Sequence, residues 1–238
     1  MTEIQRFADV DALAKAAAAQ VVAVGQAAIA ENNRFTVALS GGSTPKAVFR
    51  VLRETSALDW SKTFVFWGDE RTVPPDHEDS NYRMAKEYLL EHVPVPQENV
   101  YRMPGELDPT EAAARYEATL KAFFSTEGWP RVDLILLGMG DDGHTASLFP
   151  GTAALNEQTQ WVVANHVPKL DTWRITFTAP LINAAANVTF WVTGTSKADA
   201  LREVVNGPYM PETYPSQLIE PINGNLVWMV DEAAASLI

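Results

Sequence analysis

The sequence predicts an α/β fold in which a mostly parallel sheet is covered by helices on both faces. Three observations carry that prediction. Short β-rich apolar runs alternate with helical patterns for most of the 238 residues, the order that βαβ units produce. The most apolar run, VDLILL at 132–137, is continuous, as suits a strand buried on both faces. Polar loops leave several of these runs, and in parallel sheets ligands collect outside the carboxyl ends of the strands.

IQRF at 4–7 is a candidate opening strand. Asp9 or Asp11 can cap the alanine-rich helix after it, which should end near Asn32 and Asn33. Lys15, Gln20 and Gln26 break residues 12–30 into an amphipathic pattern, so the expectation is a soluble helix, not a membrane span. RFTVALS is the next strand, and GGSTP breaks it. Pro45 suits the first turn of a new helix, with Ser43 or Thr44 as its cap. TFVFW repeats the pattern and ends in GDERTVPPDHEDSN, expected to be a long polar loop. Ser80 begins a helix through Leu90, VPVPQEN is a rigid connector, and Asp108 or Thr110 opens a helix to about Phe124. After VDLILL, the runs WVVANH, WRITFT and NVTFWVTG are further strands. TSKADALREVV is a helix capped by Thr195 or Ser196, and LVWMV is the last strand before a short helical tail.

Composition narrows the function. Eighteen Lys and Arg against 30 Asp and Glu give a formal net charge of -12, which repels phosphate backbones and argues against a nucleic-acid partner. Any anion site must therefore be a local concentration of donors. The chain has no cysteine, so disulfides, thiolate chemistry and cysteine-held metals are excluded. The first residues carry Glu3, Asp9 and Asp11 in place of a basic secretory n-region, and a cytoplasmic location is expected.

Four places concentrate chemistry. In SGGSTP, Gly41 and Gly42 let backbone N–H groups turn inward, while Ser40, Ser43 and Thr44 add hydroxyls at a helix N-terminus. That is either a phosphate cradle or a plain glycine turn. No Walker or GxGxxG pattern is present. In WGDERTVP, Arg71 offers a fixed fork to an oxygen-rich substrate, and Asp69 orients it or binds a sugar hydroxyl; surface ion pairs are the plainer alternative. In GMGDDGHTASLFPG, Gly138 and Gly140 permit close backbone approach to a ligand. There Asp142 and His144 can reach one point, where a carboxylate would support an imidazole able to take a proton near neutral pH. Alternatively Asp141 or Asp142 caps a helix HTASLF, leaving His144 exposed in its first turn. Ser147 lies three residues from His144, but no GxSxG elbow surrounds it, and the four scattered histidines do not suggest a metal site. Arg174 inside a strand and Lys197 at a helix N-terminus are both unfavourable unless an anion lies near; otherwise they face solvent. Glu70, His77, His92 and His166 take no role here.

Taken together, SGGSTP, GDERTVP, SNYRMA, GMGDDGHTASLFPG, WRITFT and TSKADAL resemble the 6-phosphogluconolactonase family. They stand in the family's order and span most of the chain. The wider group includes glucosamine-6-phosphate deaminases and ribose-5-phosphate isomerases. The resemblance implies one α/β domain over residues 1–238, with a Rossmann-like sheet and a few additional strands. It also implies a cytosolic hydrolase of 6-phosphogluconolactone with no metal or other cofactor, in the oxidative pentose phosphate or Entner–Doudoroff route. His144 would be the general base and Asp142 its support or a hydroxyl ligand. Arg71, or backbone N–H groups of residues 138–142, would serve the oxyanion. Residues 40–44, Arg174 and Lys197 would hold phosphate. The expected partner is the small-molecule substrate alone, without nucleic acid or membrane, and the expected state is a monomer, with a small homo-oligomer as the alternative. A deaminase resembles this pattern up to the histidine but carries an acidic residue shortly after it. Here no carboxylate follows His144 before Glu157. A non-catalytic sugar-phosphate sensor is a third reading, without the basic DNA-binding segment such sensors carry.

Overall fold

All eight strands expected from the apolar runs form, and a ninth joins them within residues 2–238, which the computed structural model describes. In chain order the strands are β1 (Thr2–Phe7), β2 (Phe35–Leu39), β3 (Thr63–Trp67), β4 (Asp69–Arg71), β5 (Leu134–Leu137), β6 (Val162–Val167), β7 (Thr172–Phe177), β8 (Asn187–Val192) and β9 (Asn225–Asp231). Six of them make one sheet in the order β1-β9-β8-β5-β2-β3, and every neighbouring pair is parallel. β2 and β5 are buried along their whole length, so both of their faces are covered. The other three strands form a small antiparallel sheet, β4-β7-β6.

The helices are α1 (Val10–Asn32), α2 (Ser43–Leu52), α3 (Asn81–Tyr88), α4 (Pro109–Phe124), α5 (Ala179–Asn183) and α6 (Ala198–Asn206). By length and composition α1 could cross a membrane. In the fold its ridge of Leu13, Ala17, Val21, Gly25 and Ala28 is buried, a spacing of three and four residues that makes one face. That face packs against α2, β2 and β9. Asp9 caps α1, Ser80 caps α3 and Asp108 caps α4, each accepting from a backbone N–H of the first turn.

Four local expectations are corrected. Gly42, at φ +111°, precedes α2 and no side chain caps that helix; Ser43 and Thr44 lie inside its first turn. The Thr44 hydroxyl is 2.7 Å from that of Thr193, tying the first turn of α2 to the end of β8. Likewise α6 follows a 3₁₀ turn (Thr195–Lys197) and has no hydroxyl cap. HTASLF forms no helix, because Gly143 and Ala146 take positive φ and interrupt any helical run. Residues after β9 make turns and no helical tail.

The polar loop after β3 is also shorter than expected, since its first residues are β4. Gly68 joins the two sheets, donating to the Leu39 carbonyl at 3.1 Å and accepting from Phe177 N–H at 2.8 Å. Side chains alternate along a strand, so Asp69 and Arg71 share one face while Glu70 takes the other. Glu70 is buried and accepts from the N–H groups of Arg71, Asn81 and Tyr82 and from the Ser80 hydroxyl. It thus locks β4 onto the N-terminus of α3. Replacing Glu70 with Ala leaves those donors unpartnered. Glu70→Ala should lower unfolding free energy by about 3 kcal/mol, the scale of buried hydrogen bonds to a charged group, as measured by urea denaturation. A loss close to zero would mean that this joint does not hold the two elements.

Candidate active site

The carboxyl ends of β8, β5, β2 and β3 stand side by side, and their loops surround a cavity of about 360 Å³. From β2 come Ser40, Gly41 and Gly42; from β4 come Asp69 and Arg71. The loop after β5 supplies Gly138, Gly140, Asp142 and His144. β7 adds Arg174, and the start of α6 adds Lys197. Of the residues singled out in the sequence, only Ser43 and Thr44 do not line it. Ser43 is exposed in the first turn of α2, and Thr44 is turned toward Thr193.

The loop after β5 is tightly closed. Gly140 N–H donates to the His144 carbonyl, and the Thr145 hydroxyl donates to Gly138. Ser216 reaches in from the far end of the chain and donates twice, through N–H and hydroxyl, to the Gly143 carbonyl. Within this frame the Asp142 Oδ1 lies 2.5 Å from His144 Nδ1. Asp142 is therefore the partner of the imidazole, and Asp141 is exposed. With Nδ1–H given to Asp142, the ring's lone pair sits on Nε2. Phe149 stacks on the imidazole, ring centroids 4.0 Å apart. Gly140 contributes space: a Cβ there would collide with His144 Nδ1 and with the Asp142 carboxylate.

Burial pushes the Asp142 carboxyl up, but the hydrogen bonds and charge of His144, with the contact from Lys169, outweigh it. The carboxyl is held well below the usual carboxylate range.

Arg71 and Arg174 face each other in register across β4 and β7, a like-charge pair that costs stability on its own. Burial draws the Arg174 guanidinium below its ordinary value, and the charge of Arg71 adds to the effect. Arg71 donates to the Asp79 carbonyl at 2.5 Å. The expectation that Asp69 orients Arg71 is corrected: Asp69 accepts from the Ser147 hydroxyl at 2.7 Å and the Asn81 amide at 3.3 Å. Neither arginine forms an ion pair with a carboxylate among the described residues. Lys197 and the uncapped N-terminus of α2 face the same cavity, which is the arrangement that binds phosphate groups.

Sequence reasoning missed Asn81, Ser147, Phe149 and Lys169. Asn81 stood within SNYRMA and Ser147 within HTASLF, but their partners are 12 and 78 residues away. Among the described residues, no group of three His, Asp or Glu side chains is placed to hold a metal ion.

The fold and this site define a class. The family model described as glucosamine-6-phosphate isomerases/6-phosphogluconolactonase matches residues 8–228, and the chain belongs to that family. Among its relatives, a 6-phosphogluconolactonase of Synechocystis sp. is 47% identical over 87% of this chain and 86% of its own. One from Nostoc sp. is 45% identical over 88% and 87%. A solved 6-phosphogluconolactonase from Trypanosoma cruzi superposes with a TM-score of 0.88 at 28% identity, covering 99% of this chain and 96% of its own.

Because the Asp142 carboxyl is held below its ordinary value of 3.8, its pairing contributes stability in full above that pH and loses it as pH falls toward the lowered value. Urea midpoints measured downward from pH 4 should fall more steeply for the wild type than for Asp142→Asn. Parallel slopes would show that Asp142 and His144 are not coupled.

Proposed function

We propose that this protein hydrolyses 6-phosphogluconolactone to 6-phosphogluconate. The observation that carries the reading is the Asp142–His144 pair, which leaves one free imidazole nitrogen in a cavity that also holds an unneutralised arginine pair. The names of the most similar relatives support the substrate.

In the proposed mechanism, the phosphate rests against Arg71, Arg174, Lys197 and the N–H groups of the Ser40–Gly42 loop and the α2 N-terminus. Ser43 and Thr44 would take part through their backbone. That contact fixes the lactone carbonyl near His144, so binding energy remote from the reacting bond is used for orientation. His144 Nε2 takes a proton from water as the water oxygen bonds to the carbonyl carbon. The carbonyl electron pair moves to oxygen, and preplaced donors stabilise the charge. The N–H groups of Asp141 and Asp142 find no acceptor among the described residues and are suited to this task. Arg71, lying opposite Arg174, is better placed for phosphate. The intermediate collapses by breaking the bond to the ring oxygen, which takes the proton back from Nε2. Asp142 balances the imidazolium between these steps. The product would enter the oxidative pentose phosphate or Entner–Doudoroff route. We read the chain as one domain, because its buried apolar residues form one continuous cluster, and as a cytoplasmic monomer.

His144→Ala should lower kcat by about 100- to 10,000-fold, the usual cost of losing a general base, once spontaneous lactone opening is subtracted. A near-wild-type rate would remove His144 from this role, and ammonia released from glucosamine 6-phosphate by the wild type would point to a deaminase. Arg174→Ala should raise KM for the phosphorylated lactone by roughly 10- to 100-fold, the range for hydrogen bonds to a charged group, with little change for the unphosphorylated lactone. Equal effects on both substrates would place Arg174 outside the phosphate site.

A further inference from the structure

We propose that Lys169 is a positioning residue: it holds the outer oxygen of Asp142, so that the inner oxygen stays on His144 Nδ1. The inference rests on the reading of His144 as the base. Asp142 Oδ1 meets His144 Nδ1 at 2.5 Å and the His144 N–H at 3.3 Å. Its Oδ2 meets Lys169 Nζ at 3.3 Å. A carboxylate turns readily about its last bond, and a second attachment fixes its plane. Lys169 stands at the tip of the β6–β7 hairpin, in a 3₁₀ turn (Pro168–Leu170) that Asp171 closes with φ +45°. The hairpin register is unbroken from Val162↔Phe177 to Val167↔Thr172. The same hairpin therefore carries Arg174 to the arginine pair and Lys169 to the imidazole's carboxylate, and fixes the spacing between them.

Charge gives Lys169 a second effect. An unpartnered carboxylate favours the imidazolium, which cannot accept a proton from water. An ammonium on the outer oxygen offsets part of that negative charge. The other charged groups lining the cavity are Asp69, Arg71, Asp141, Arg174 and Lys197. None of them bonds Asp142 or His144, so Lys169 is the one cation in contact with the pair among the described residues. Its side chain is 69% exposed, and exposed ion pairs contribute little to stability. Substitution should therefore leave the fold intact.

The test compares lactone hydrolysis across pH by the wild type, Lys169→Met, Lys169→Arg and His144→Ala. For Lys169→Met, kcat should fall about tenfold, the scale of one charge-assisted hydrogen bond, with KM nearly unchanged. The acidic limb of its kcat/KM profile should move to higher pH, and Lys169→Arg should restore both. A wild-type kcat and profile in Lys169→Met would overturn the inference. So would a rise in KM alone, which would make Lys169 a substrate contact. An active His144→Ala enzyme would defeat the underlying reading instead, whereas an inactive one beside a wild-type-like Lys169→Met would defeat only the role of Lys169.

Discussion

The site depends on one constraint, the reversal of strand order between β2 and β5. From β2 the chain steps outward to β3, then returns to the other side of β2 to lay down β5. Connections leave these two neighbours in opposite directions, so no crossover fills the space above their carboxyl ends. Into that gap project the Ser40–Gly42 turn and the loop bearing His144. The β3 strand does not stop at its sheet. Through Gly68 it becomes β4, which recruits β7 and brings Arg174 opposite Arg71. A chain of net charge -12 thereby gathers Arg71, Arg174, Lys169 and Lys197 at one crevice.

Holding like charges together has a structural cost, and the neighbouring carboxylates do not remove it. Asp69 lies on the same strand face as Arg71 but is occupied by Ser147 and Asn81. Glu70 points the other way and serves the α3 N-terminus. Burial pushes the Glu70 carboxyl up, against the pull of the N–H groups it accepts from. Three adjacent charged residues thus do three separate jobs: strand alternation sets Glu70 apart, and different partners divide Asp69 from Arg71. The arginines keep an unmet demand for an anion, as a site selected for binding over stability would.

The parallel sheet was legible because buried strands need uninterrupted apolar runs, and VDLILL and NVTFWVTG supply them. Helix starts were legible where a side chain does the capping, as at Asp9, Ser80 and Asp108. They were misread at Ser43 and Thr195, where the helix N-termini stay uncapped beside the cavity. The β4 strand was missed because Asp69–Arg71 has no apolar face. Its alternation of cavity-facing and helix-facing charge was the only local signal. Whether Asp142 meets His144 or only caps a helix could not be read locally, because the contact depends on the turn that Gly143 makes at positive φ. Lys169 carried no signal near Asp142, since the contact crosses 27 residues and depends on the hairpin register.

The division of labour among the carboxylates bears on which chemistry of the family this site suits. Moving a proton between two carbons of an opened sugar calls for a base at each position, or one base with room to travel. Hydrolysis of a lactone asks less, because one group can take a proton from water and return it to the ring oxygen. Here Asp69 has both oxygens engaged and Asp142 is bound by His144 and Lys169, while Asp141 is exposed where it lines the cavity. No carboxylate follows His144 before Glu157, which bonds its own turn at Thr159 and Gln160. The imidazole Nε2 makes no hydrogen bond among the described residues, and the ring is held in place by Asp142 and Phe149 in space left by the absent Cβ of Gly140. With His144 as the proposed base, the proton would leave and return through that one nitrogen.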